Sequence, residues 1–173
     1  MPIVRVLLDS FPSYQRLVAL GIGVLAVTGC GDKGLDKPLP AVTKSLHVTL
    51  PWTDGARIPP PYTCDGINRK PFVQVAGAAG HPVAIVMTDP DAPSGTFVHW
   101  TRWDHTEGEN SFGKTGYDGP CPPKGDEPHH YVVTAYALRD PLDLESGAKP
   151  DEVVDAIKKQ AVESGSSTGL YGR

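Results

Sequence analysis

Val83-Ala84-Ile85-Val86-Met87-Thr88-Asp89-Pro90-Asp91-Ala92-Pro93-Ser94-Gly95-Thr96-Phe97-Val98-His99-Trp100 reads as strand, rigid turn and strand in one stretch. Val83 to Met87 is wholly apolar and rich in β-branched residues; at about half the length a helix needs, it suits a strand buried on both faces. Asp89-Pro90-Asp91-Ala92-Pro93 stops that strand abruptly. Each proline fixes its own φ, removes a backbone donor and holds the residue before it extended, so two carboxylates stand on a stiff support. Gly95 lets the chain turn, and Thr96 to Trp100 resumes a β-type run that can return His99 toward the acids. A pocket edge of Asp89, Asp91 and His99 is expected.

Working outward, Tyr131 to Leu138 is a second apolar β-type run, opened by His129-His130-Tyr131. Side chains alternate across a strand, so His129 and Tyr131 project to one face and His130 to the other. Between the two strands lies Tyr117-Asp118-Gly119-Pro120-Cys121-Pro122-Pro123-Lys124-Gly125. Its glycines permit close backbone approach, and successive amides in such a turn can form an anion-binding concavity. Prolines supply no donor, so main-chain contacts must come from residues such as Gly119 and Cys121, with Pro120, Pro122 and Pro123 giving stiffness. Taken alone, such a loop is more often a surface turn.

Farther out, Ser45 to Leu50 alternates, with Leu46, Val48 and Leu50 inward and His47 toward solvent. Arg57 to Gly66 contains three successive prolines and ends in Asp-Gly, an extended segment entering a tight turn. Pro150-Asp151-Glu152 is a helix start, with proline in the first turn and acids at the positive end of the dipole. Val153, Val154, Ala156, Ile157 and Ala161 then recur at helical spacing and should pack on a sheet. The Ser- and Gly-rich run Glu163 to Gly169 is expected to end that helix.

The chain has 173 residues, 39% hydrophobic and 21% charged, which accommodates one core and not two. Nineteen Gly and 18 Pro favour short strands joined by loops. A formal charge of −4 offers no basic field for nucleic acid. At the N-terminus Arg5 and Arg16 precede the apolar run Leu17 to Val27, of signal-sequence length. Leu25-Ala26-Val27-Thr28-Gly29-Cys30 resembles the lipobox of bacterial lipoproteins, which implies lipidation of Cys30 and cleavage before it; an ordinary secretory signal or uncleaved anchor is the alternative. The expected organisation is a signal peptide over 1–29, a flexible tether over 30–44 and one domain over 45–173. More than one acyl chain would hold the domain firmly at a membrane, facing the periplasm or on the outer membrane in a Gram-negative cell.

DPDAP at 89–93, FVHW at 97–100, GPCPPKG at 119–125 and HHY at 129–131, in that order, resemble the phosphatidylethanolamine-binding protein family, specifically its bacterial Raf-kinase-inhibitor-like branch. The similarity runs from about Ile58 to Arg173. It implies a mainly β fold, a two-sheet antiparallel sandwich with a short C-terminal helix. It also implies a ligand pocket of Asp89, Asp91, His99, Gly119, Cys121, Pro122, His129 and Tyr131, with Tyr62 and Asp65 nearby. His129 and Tyr131 match the family's pocket histidine and tyrosine, while His130 stands where the family has arginine. The resemblance places Cys64 and Cys121 on the same side of the fold, where they either form a disulfide or remain two buried small side chains.

Imidazole N–H groups, a phenol and loop amides can bind phosphate, and a carboxylate can accept from a phosphate hydroxyl, orient a histidine or meet an ammonium group. The implied function is therefore non-catalytic binding of a phosphate-bearing small ligand or phospholipid headgroup, with no cofactor and no metal. The bland alternative is two hydrogen-bonded core histidines propped by aspartates. A competing class is a protein-interaction module that inhibits a kinase or protease. For an enzyme, no nucleophile elbow, HExxH or P-loop is present, and Cys64 or Cys121 beside a histidine is the remaining nucleophile candidate. Two departures stand out: Thr101 to Gly116 is shorter than the family's loop, leaving one pocket wall open to question, and Lys158-Lys159 replaces Gly-His.

Overall fold

A computed structural model of the chain describes residues 34–173. The leader expected over 1–29 and the lipidation expected at Cys30 fall outside those residues.

The apolar run at 83–89 forms β4 (Val83–Asp89), the axis of a six-stranded sheet. It lies between β5 (Phe97–Trp103) and β7 (His129–Leu138), antiparallel to both. The outer neighbours are β6 (Thr106–Glu107) beside β5, and β8 (Ala161–Tyr171) beside β7. β1 (Thr43–Lys44) closes the far edge in parallel with β8, a two-residue exception to an otherwise antiparallel sheet. β2 (His47–Thr49) and β3 (Gln74–Ala76) make a second, small antiparallel sheet. The fold is mainly β, with two sheets and one short helix.

β4 is apolar from Val83 to Met87 because both of its faces are covered. Ile85 and Met87 join Leu46, Leu50, Trp52, Ile58, Trp100 and Val133 on the side of the small sheet. Ala84 and Val86 join Val98, Trp103, Tyr136 and Leu138 on the other side, under α1 (Pro150–Gln160). That helix begins where Pro150 and the acids predict, and Glu152 accepts a hydrogen bond from the Lys149 backbone N–H at 2.9 Å. Val153, Val154 and Ile157 are its buried face.

Two stretches depart from expectation. Glu163 to Gly169 does not terminate the helix in a loop: α1 passes directly into β8, an eleven-residue strand. Its glycines answer a packing demand, because a Cβ at Gly165 would lie 2.1 Å from the Leu46 carbonyl oxygen and one at Gly169 would lie 2.4 Å from Ile58 Cγ1. The segment read as a flexible tether is docked from residue 34 onward. Leu35, Leu39 and Val42 pack on the helix-side core, and the Tyr136 hydroxyl donates to the Pro40 carbonyl at 3.3 Å. Three spaced apolar side chains are enough to hold a Gly-, Lys- and Pro-rich stretch that composition alone marks as a linker.

Candidate functional site

The β4–β5 turn, the 117–123 loop and the start of β7 meet at one end of the main sheet. They enclose a cavity of about 350 Å³ lined by Asp89, Ala92, Pro93, Ser94, Phe97, His99, Phe112, Cys121, Pro122, Pro123, His129 and Tyr131.

His99 reaches the cavity through a bulge. Met87 pairs with Trp100 and Thr88 with Val98, which leaves His99 as the extra residue of β5. The strict alternation of the strand is broken there, so Val98 and Trp100 enter opposite cores while His99 turns to the pocket. Its ring is then fixed by Asp118, whose carbonyl oxygen lies 2.7 Å from Nδ1. A carbonyl only accepts, so Nδ1 carries the proton and Nε2 is the free ring nitrogen. Burial pushes the His99 pKa down against the raising effect of that hydrogen bond, favouring the neutral ring.

His129 and Asp89 form a buried pair, Nδ1 to Oδ2 at 2.7 Å. The other Asp89 oxygen accepts the Asp91 backbone N–H at 2.9 Å, so both carboxylate oxygens are engaged. Tyr131, two residues along β7, stacks near His129 and is fully buried at 0% exposure. Its hydroxyl makes no hydrogen bond of ordinary geometry among the described residues. Burial first, then the charge of Asp89 and a loose hydrogen bond to its carboxylate, raise its pKa well above the usual phenol value, so it remains a proton donor.

Asp91 is not part of the cavity wall. Its carboxylate faces outward and accepts from the His130 backbone N–H at 2.7 Å and from His130 Nδ1 at 2.8 Å, and the backbone hydrogen bond leads in lowering its pKa. Asp89, Asp91, His129 and His130 therefore form two separate pairs, not one four-ligand cluster. Gly119 also stands behind the wall, its N–H donating to Asn68 Oδ1 at 2.8 Å, so that amide is not free for a ligand. Tyr62 and Asp65 are elsewhere: the Tyr62 ring packs on Trp52, and Asp65 accepts from Tyr171 and pairs with Arg173.

Cys64 and Cys121 are joined in a disulfide, Cα to Cα 5.4 Å, across 57 residues of sequence. Cys121 lines the pocket in that oxidised form, and neither sulfur is a thiol nucleophile.

The wall that the short 101–116 loop left open to question is supplied by Phe112. Asn110 organises that loop, its side-chain oxygen accepting from the Phe112 and Lys114 N–H groups and its amide donating to the Gly116 carbonyl. Ser111 then bonds Val98 in both directions, which sets Phe112 edge-on to Phe97 at 4.6 Å. Phe97, Phe112, Ala92, Pro93 and Ser94 were not foreseen as lining residues, whereas Pro123 belongs to the expected 119–123 turn. For Phe112 the available signal was a lone aromatic in the polar run Glu109 to Lys114.

A family model described as phosphatidylethanolamine-binding protein matches residues 49–172. A UPF0098 protein of Pyrococcus horikoshii is 32% identical over 186 residues, covering 94% of this chain and 92% of its own. The Mycobacterium tuberculosis protein named as lipoprotein LppC is 33% identical over 172 residues, 80% of this chain and 86% of its own. Among solved structures, a phosphatidylethanolamine-binding protein homolog from Chlamydia trachomatis superposes with a TM-score of 0.69 at 24% identity, over 76% of this chain and 99% of that one. E. coli YbcL, described as a member of the mammalian family, gives 0.66 at 23% identity, over 74% and 98%. At those identities the two structures speak for the fold alone.

Proposed function

The chain belongs to the phosphatidylethanolamine-binding protein family, a family of ligand-binding domains, and from that premise we propose that it binds a phosphate-bearing small molecule or phospholipid headgroup, reversibly and without turnover. The observation that carries this is the Tyr131 hydroxyl, a buried donor on the pocket wall that makes no hydrogen bond of ordinary geometry among the described residues, with only the Asp89 carboxylate near it. Such a group costs stability unless something completes it. A phosphate oxygen does so.

The remaining groups suit a singly charged or zwitterionic phosphate. His99 Nε2, on a neutral ring, accepts from a ligand O–H or N–H. His129, with Nδ1 held by Asp89, keeps Nε2 for the ligand. Asp91 and Gly119 act from behind, one holding Asp89 through its N–H and the other holding the 117–123 loop through Asn68. Apolar walls keep water from competing. The disulfide argues against turnover, because it removes both thiols that could have served as nucleophiles.

An exported, lipid-anchored location belongs to the same proposal, supported by the Leu25 to Cys30 pattern and by the name of the mycobacterial relative. A protein partner of the kinase or protease type would take the exposed Ile67 and Phe72, which flank Arg69 and Lys70 on the surface.

The deciding experiment is a phosphorus NMR titration of residues 31–173 with phosphoethanolamine and with inorganic phosphate, repeated on His129→Ala. Saturable shifts that vanish in the variant support the pocket. No saturable shift in either protein moves the function to the interaction surface.

A further inference from the structure

The docked N-terminal segment ends at the pocket. Gly34 lies against the β4–β5 turn, where a Cβ on it would come 2.9 Å from the Ser94 carbonyl oxygen. The Leu35 N–H donates to the Thr96 carbonyl at 2.7 Å. Ala92, Pro93, Ser94 and Phe97 of that same turn and its strand line the cavity. Behind this point the segment is held along its length. An ion pair joins Lys37 to Asp155 on α1, and the pairing of Thr43 with Glu163 ties it to β8. It is a strut laid across the sheet, with its upstream end at the pocket lip.

From Gly34 to Cys30 is four residue steps, a reach of at most about 14 Å even when fully extended. The polar layer on each side of a bilayer is roughly 5–8 Å deep, so a lipid on Cys30 leaves the pocket lip within about two to three such layers of the acyl boundary. The rim on that side carries Phe112, 40% exposed, with the Lys114 ammonium 5.6 Å from its ring centre. An exposed aromatic beside a lysine suits a headgroup surface.

We infer that the 34–44 segment is an orienting strut: with Cys30 lipidated, it seats the pocket mouth on the membrane that holds the anchor, and the pocket's phosphate is the headgroup of a lipid in that membrane. The choice of ligand rests on the phosphate-pocket reading above; the orientation does not. Tethering turns encounter with such a headgroup into an effectively intramolecular event, which a free phosphate in solution does not share.

The test uses the full-length lipidated protein in vesicles of phosphatidylethanolamine and phosphatidylglycerol, some lipids carrying a headgroup nitroxide. A fluorophore is placed on Ser94→Cys at the lip or on Asp140→Cys, beyond the far end of β7 and about 30 Å along the strand from His129. Quenching should be several-fold stronger at position 94. Inserting about twenty Gly/Ser residues between Lys33 and Gly34, a leash of roughly 25 Å, should bring the two labels to equal quenching. Equal quenching in the uninserted protein overturns the orientation, as does a mature protein whose mass shows no lipid on Cys30.

The ligand's source is read separately, by a photoreactive benzoylphenylalanine at position 112. A lipid adduct that forms in the parent and drops severalfold with the long leash supports a membrane headgroup. No adduct in either protein, while detergent-solubilised full-length protein shifts the phosphorus signal of free phosphoethanolamine, assigns the pocket to a soluble ligand and overturns this inference, leaving the phosphate pocket intact. Quenching confined to Ser94 with neither adduct nor phosphorus shift overturns the phosphate ligand and leaves the orientation standing.

Discussion

Replacing Tyr131 by phenylalanine should move stability and binding in opposite directions. In the free protein the hydroxyl is buried and makes no hydrogen bond of ordinary geometry among the described residues, only a loose approach to Asp89, a situation that costs about 1–3 kcal/mol. Phenylalanine keeps the ring and its packing against His99, at 5.2 Å between centroids, and removes only the orphaned group. Allowing for the small void left behind, we expect a net gain of about 1 kcal/mol, which in a domain of this size raises the thermal midpoint by about 2–4 °C. In the complex the same hydroxyl donates to a charged oxygen, a bond of about 1.5–3 kcal/mol, so phosphate affinity should fall by about 10- to 100-fold. Urea or thermal unfolding and a phosphorus titration, run on the same preparation, read both halves. A variant that is less stable and binds phosphate as tightly as the parent would refute the reasoning, because the hydroxyl would then be satisfied within the protein.

Other outcomes can be set beside this one. Asp89→Ala should cost about 3 kcal/mol in urea unfolding, since it strands a buried histidine, whereas Asp91→Ala, which breaks an exposed pair with His130, should cost under about 1 kcal/mol; equal losses would contradict the division into two pairs. Reducing the Cys64–Cys121 bridge should lower stability by about 4 kcal/mol through the 57-residue loop it closes, and two free thiols in non-reducing mass spectrometry would sink the bridge altogether. His99 has a folded pKa below its unfolded value of about 6.5, so the unfolded chain binds the extra proton first. Its contribution should therefore be complete above about pH 6.5 and lost as pH falls through the lower folded pKa, and His99→Gln should flatten that part of the stability profile. Gly165→Ala should cost more than about 2 kcal/mol because the new methyl meets main chain; an unchanged midpoint would mean that β8 and the Leu46 segment can part freely.

The elements legible in the sequence were those whose signal is local. β4 shows itself by an apolar run bounded by DPDAP, and α1 by a proline-led start with 3.6-residue spacing. His129 and Tyr131 share a face for the plain reason that strands alternate. The misread parts depend on distant contacts. β8 looks like a terminator because it is Ser- and Gly-rich, yet those glycines are small because Leu46 and Ile58 cross over them. Leu35, Leu39 and Val42 look like a linker until Tyr136 and α1 are in place to receive them. His99 lines the pocket as expected, though by way of a bulge that periodicity does not foretell, while the Gly119 amide, expected to face a ligand, is taken by Asn68 from 51 residues away.

The position of β8 sets the order in which the molecule can assemble. β8 lies between β7 and β1, and its pairing with Thr43 joins residues 120 positions apart in the sequence. Contacts so distant in sequence form late, because a long loop must close before they return anything. The β1 edge has no strand partner until residues 161–171 have arrived, whereas the rest of the strut already finds Thr96, Tyr136 and α1. One edge of the main sheet therefore waits for β8, and removing residues 161–171 should free Thr43–Lys44 while the upstream strut keeps its hold on Thr96, Tyr136 and α1.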